Sequence, residues 1–171
     1  MDTLLGLRQW KQHPTDWTAA AVSGFAAGAV LMVLDLVWSA FFTPDGPWRT
    51  SHMIAPIFLG AGSVSQGYPF SVTVVAIALA THYALGILFG LAVAWIMSHL
   101  ELDTLPASAM ATGAVLGVLL YLLNFHVLAR LFFPWLADLR GVDTLAAHVV
   151  FGSVAALLYE RLKRIPTAAA G

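Results

Sequence analysis

Five side chains combine chemical capability with an apolar setting: Asp35, His52, His82, Asn124 and His148. A charge at a bilayer centre costs about 3 kcal/mol even on lenient scales, so each such group needs a partner or a ligand. Imidazole is a common metal ligand and an axial ligand of haem iron. Facing one another on bundle helices, His82 and His148 could hold a b-type haem, with Asn124 orienting a ligand from behind. The same pair could hold a divalent metal together with Asp35 and His52. An intramembrane carboxylate beside histidine also suits a proton or ion relay, which in so short a chain would require a dimer. A third reading spends these groups on one another, fixing helix register in a non-catalytic accessory or structural subunit. That reading is preferred, because no close-spaced ligand motif such as HExxH occurs.

The elements that must position these residues follow from composition. Of 171 residues, 60% are apolar and only 10% charged, against about 25% charged in soluble domains. The chain therefore reads as an all-α membrane protein, a four-helix transmembrane bundle forming a single domain. The predicted spans are 18–42, 72–98, 106–129 and 144–162, each near the roughly 20 residues a crossing needs. Asp16 is the expected cap of span 1, Asp103 or Thr104 of span 3 with Pro106 in its first turn, and Asp143 or Thr144 of span 4, with Pro166 beyond its end. The first apolar run is too long for a signal peptide and reads as a retained span. Between spans 1 and 2, the stretch Met53 to Ser65 is too short to cross and is broken by Pro56, Gly60 and Gly62. It reads as an interfacial or re-entrant segment, or as a plain surface lid.

Without water, helices associate through small residues. Stripes at helical spacing occur in every span: Gly24 and Gly28; Ala78, Gly86, Gly90 and Ala94; Ala109, Gly113 and Gly117; Gly152 and Ala156. Asp35, His82, Asn124 and His148 lie on those same faces, so they are expected to meet inside the bundle, in its outer half. His126 points elsewhere, and His13 and His99 fall at the membrane boundary. A faint duplication adds to this. Gly28-Ala-Val-Leu-Met-Val-Leu34 matches Gly113-Ala-Val-Leu-Gly-Val-Leu119, and His82-xxx-Gly86 matches His148-xxx-Gly152. Two pseudo-repeated helical hairpins are predicted, related by an axis along the membrane normal.

Charge sets orientation. Arg8, Lys11, Arg161, Lys163 and Arg164 flank the terminal ends of the spans, against Arg49, Arg130 and Arg140 on the other side. Both tails, 1–17 and 163–171, are predicted cytoplasmic by the positive-inside rule. Trp17, Trp38, Trp48, Trp95 and Trp135 read as interfacial anchors. Cysteine is absent, which excludes disulfides, thiolate metal sites, iron–sulfur clusters and covalent haem. Neither soluble-type catalysis nor nucleic-acid binding finds a motif or a charge excess. The expected surroundings are the lipid bilayer and a second copy or a larger membrane complex.

Tyr121-Leu-Leu-Asn-Phe125, Phe133-Pro-Trp135, Arg140-Gly141, His148-Val-Val-Phe-Gly152 and Thr81-His-Tyr-Ala-Leu-Gly86 together resemble a group of small four-span bacterial inner-membrane proteins without settled function. The resemblance covers most of the chain from Gly24 onward and implies the bacterial cytoplasmic membrane. Some of those proteins carry the label sodium:proline symporter. It is not carried over, because a sodium–solute symporter of the usual kind needs many more spans.

Overall fold

The structure, a computed structural model, describes residues 14–64, 67–102 and 105–164. Those residues form helices and no strand. Four helices are long and apolar enough to cross a membrane: Trp17–Phe42, Val72–His99, Pro106–Leu131 and Val142–Leu162, spans 1 to 4 in order. The shortest has 21 residues, about 31 Å at 1.5 Å each, which matches a hydrocarbon core of about 30 Å. Their outward faces are apolar: Val33, Phe41, Leu131 and Phe132 are each at least 60% exposed. Apolar surface on this scale suits lipid and not water. The chain is built as a multi-pass membrane bundle.

Local chemistry sets the boundaries. The Asp16 carboxylate accepts from the Ala19 N–H (2.9 Å), capping span 1 as expected. Ser71 caps span 2 through the Val74 N–H (3.5 Å). Span 2 ends with Glu101 at φ +51°, and the Leu102 N–H bonds back to the Met97 carbonyl (2.9 Å), closing the last turn. For span 3, Asp103 and Thr104 lie outside the described residues, as do Pro166, His13, Arg8, Lys11 and Ser65. Leu105 occupies the cap position, with Pro106 in the first turn. Span 4 corrects the expected cap: extended Gly141 holds that position, without a side-chain cap bond, and the helix starts at Val142. Asp143 and Thr144 thus fall in the first turn, where a carboxylate favours the positive end of the helix dipole.

The predicted glycine stripes are the contact lines. A Cβ on Gly24 would stand 2.9 Å from Gly90 Cα, and one on Gly86 would stand 3.1 Å from the Gly24 carbonyl oxygen. Spans 3 and 4 meet likewise, a Cβ on Gly152 standing 2.9 Å from Gly117 N. Spans 1 and 4 join through Ala27 on Phe151 and Ala155, and through Ala19 and Ala20 on Tyr159. Backbones approach this closely only where side chains are missing or small.

The bundle has a tail end, where residues 14–16 lead in and 163–164 lead out, and an opposite loop end. Toward the tail end, Val93 and Met97 of span 2 pack on Ala109 of span 3 and Ala156 of span 4. Toward the loop end, the segment after span 1 enters the bundle instead. It forms short helices Arg49–Ile54 and Pro56–Leu59 and a 3-10 turn Ala61–Ser63. Pro56 starts a new turn, and Gly60 ends it at φ +86°. Met53 is buried (3% exposed) among Tyr121, Phe125, Ala129 and Leu136. Its carbonyl accepts from the Trp135 indole N–H (3.0 Å). The segment is a wedge anchored several residues inside the end of span 3.

Candidate functional site

Span 3 is not a uniform helix. Leu123–Leu128 is a π turn, in which the Ala129 N–H reaches back five residues to the Asn124 carbonyl. Such turns widen a helix and often occur at functional sites. Here the π turn carries Asn124, whose Nδ2 lies 3.5 Å from His148 Nε2, the long limit of a hydrogen bond. His148 Nδ1 is 2.8 Å from the Thr144 carbonyl, one turn back on its own helix. A carbonyl only accepts, so Nδ1 carries the proton and Nε2 accepts from Asn124. The rings of Tyr121 and Phe125 stand edge-on to the imidazole, at 6.0 and 5.4 Å. This pair of sequence-predicted residues is brought together.

His82 is used differently. Its Nε2 donates to the Gly28 carbonyl on span 1 (2.9 Å). Asp35 lies seven residues further along span 1 and accepts from the Thr50 hydroxyl of the wedge (3.0 Å). His52 does fold inward, being 6% exposed, yet its Nε2 meets the Pro69 carbonyl (2.8 Å) and its ring packs edge-on to Tyr68. His126 is exposed and leans on Tyr121. His99 bonds the Trp95 carbonyl (2.9 Å) at the tail end.

The donor set does not assemble around an ion. Among the described residues, no group of three or more His, Asp or Glu is placed to share a metal. A haem gripped by both histidines would need their ring nitrogens aimed at one iron. Instead, His82 Nε2 faces Gly28 and His148 Nε2 faces Asn124.

What the structure adds lies around Asp35. Asp35, Ser39 and Thr43 follow one another at four-residue spacing, a polar stripe down the loop-end half of span 1. They line one wall of a cavity of about 60 Å³. Arg49 and Thr50 of the wedge form a second wall. Asp138, Arg140, Asp143 and Thr144, before and at the start of span 4, form a third. Arg49 donates from Nη2 to the Asp138 carbonyl (2.8 Å). Its Nε stands 3.2 Å from the Asp45 carboxylate but out of line for a hydrogen bond, so that contact is ionic. Arg140 donates from Nε to the Phe125 carbonyl inside the π turn (2.6 Å). Sequence reasoning used Arg49 and Arg140 to orient the chain and Asp143 as a candidate helix cap, and placed none of them at a site. The signal that could have found the site was the Asp35–Ser39–Thr43 spacing, which continues toward the loop end the face already assigned to Gly24 and Gly28.

A second polar network sits at the tail end. The Tyr159 hydroxyl accepts from the Asp16 N–H (3.2 Å) and shares a hydrogen bond with Ser98 (2.7 Å). The Arg164 N–H donates to the second Asp16 carboxylate oxygen (3.0 Å). Spans 1, 2 and 4 are thereby tied at one point. Tyr159→Phe is expected to cost about 1 kcal/mol, measured by unfolding in mixed micelles. The Ala19 and Arg164 backbone N–H groups hold the Asp16 carboxyl below its ordinary range. A depressed folded value gives stability that is complete above the unfolded value near 4 and lost as pH falls through the folded one. Asp16→Asn should flatten this acid limb while leaving stability above it nearly independent of pH.

Comparison with protein-family models, with curated proteins and with solved structures finds no match to this chain.

Proposed function

We propose that the chain is a non-catalytic accessory or structural subunit of a bacterial cytoplasmic membrane, with both tails on the cytoplasmic side. Its buried polar groups serve to fix helix register. The observation that carries this reading is that those groups are bonded within the protein: His82 to the Gly28 carbonyl, His148 to the Thr144 carbonyl and Asn124, and Asp35 to Thr50. In lipid an unmet polar group has no water to fall back on, so each bond favours one alignment of its helices. A second copy or a larger membrane complex is the proposed partner.

Two related halves are part of the proposal, in a register one turn away from the sequence match. Gly86 packs beside Gly24 and Gly28, and Gly152 beside Gly113 and Gly117. Aligned on those contacts, Asp35 corresponds to Asn124, each seven residues after the second glycine, and His82 corresponds to His148. The π turn then takes up extra length in span 3.

The test is the visible spectrum and metal content of the purified protein, with and without His82→Ala and His148→Ala. The expected result is no haem absorption band and no stoichiometric metal in any of the three. Asn124→Leu should cost about 0.6 kcal/mol, the average for a hydrogen bond between membrane helices. A Soret band or bound metal that disappears in both histidine variants would overturn this reading. Ion or proton handling is the second reading, favoured by the cavity at Asp35. It is tested by ion flux in proteoliposomes, which Asp35→Asn should abolish.

A further inference from the structure

The loop-end cavity has features that fixing helix register does not require. Its volume of about 60 Å³ is room for roughly four water molecules, and its polar walls offer each of them partners. It reaches Asp35, seven residues short of the end of span 1 at Phe42, about 10 Å of helix rise. Ser39 is 4% exposed and lines the cavity. A hydroxyl on the cavity wall finds hydrogen-bond partners in any water that enters.

Charge gives the cavity a sign. Asp35, Asp138 and Asp143 face it together with Arg49 and Arg140. Asp45 is ion-paired with Arg49, so the group as a whole holds two more carboxylates than guanidiniums. Low-dielectric walls focus such a field onto whatever enters. Below Asp35 the route stops. His82 is bonded to Gly28, and Gly24 packs against the backbone of Gly86 and Gly90.

We propose that this cavity is an aqueous inlet, open from the loop side, that admits water and small cations as far as Asp35 and excludes anions. The inlet is blind: it hydrates one half of the bundle and leaves the tail half sealed. It is a property of the single chain and does not rest on the accessory-subunit reading, so the spectrum and metal analysis above can fail without touching it, and the reverse.

The absence of cysteine makes the test clean, because a single introduced thiol is the sole target. Ser39→Cys and Thr43→Cys place that thiol in the inlet, and Val33→Cys places it on the lipid face of the same span. Gly62→Cys, in open space, serves as the water-exposed reference. Each is treated in proteoliposomes with iodoacetamide, which is neutral, and with iodoacetate, an anion of nearly equal size, and alkylation is followed by mass spectrometry. The expected result is that Ser39→Cys and Thr43→Cys react with iodoacetamide while Val33→Cys does not. At Ser39→Cys the iodoacetamide-to-iodoacetate rate ratio should exceed that at Gly62→Cys about tenfold, and Asp35→Asn should lower it. If both inlet thiols stay unreactive while Gly62→Cys is fully alkylated, no water reaches the site and the proposal is overturned. If they react with the same ratio as Gly62→Cys, the preference for cations is overturned. Thr43→Cys lies at the mouth of the stripe and reports independently should Ser39→Cys misfold.

Discussion

Gly113→Leu should lower the unfolding free energy of the protein by about 3 kcal/mol, at or beyond the upper end of the usual overpacking range. A side chain there has nowhere to go. Its first carbon would run into the Gly152 carbonyl oxygen and the Ala156 methyl, and backbone atoms cannot rotate aside. The two helices must move apart, and in lipid close packing is the main force that holds them. Gly24→Leu should behave in the same way against Gly86 and Gly90. Gly62→Ala is the control, since nothing lies within 4 Å of the added carbon, and its stability should be unchanged. Unfolding of purified variants in mixed micelles decides the matter. A Gly113→Leu protein as stable as the Gly62→Ala control would mean that the glycine contact lines do not hold the bundle together.

Met53→Ala is the second large effect, expected at about 2 kcal/mol from lost contacts and the cavity left behind. Met53 of the wedge is buried on Tyr121, Phe125, Ala129 and Leu136, and Ile57 of the wedge packs against the same cluster only partly buried. Loss of the Met53 side chain should act locally before it acts globally. Backbone amides from about His52 to Gly60 should then exchange hydrogen at least tenfold faster, while amides in the glycine-packed middle of spans 1 and 3 keep their rates. Uniform acceleration across all four spans would show that the wedge is integral to the bundle and not a separately docked element.

Much of this architecture was legible in the residues. The span limits fall within about two residues of expectation because a crossing helix must be apolar over a fixed length, and runs such as Trp17–Phe42 leave no alternative. The contact lines were legible for a similar reason: small residues recurring at four-residue spacing mark where backbones can touch. Of the four polar residues expected to meet inside the bundle, Asn124 and His148 stand side by side. The π turn at Leu123–Leu128 was not legible, because one extra residue in a helical turn has no mark in an apolar sequence. Nor was the Gly141 cap, where acidic Asp143 and Thr144 were the stronger sequence signals and backbone geometry prevailed.

The candidate site divides in the same way. Asp35 stood out in the sequence because a carboxylate inside an apolar run demands explanation. What it faces was decided by tertiary structure alone. Thr50, Arg49, Asp138 and Arg140 come from two loops far apart in the chain, brought together because the wedge enters the bundle toward the loop end. His82 and His148 likewise looked like a matched pair of ligands, since both lie four residues before a glycine on an interior face. One ring nitrogen of each meets a backbone carbonyl, His82 Nε2 at Gly28 and His148 Nδ1 at Thr144, and only the structure shows this. Sequence by itself determined that four helices are long and apolar enough to cross a membrane and which faces turn inward, because lipid imposes length and polarity on each helix separately. Which polar groups meet depends on where one helix backbone stands against another, and that only the assembled bundle decides.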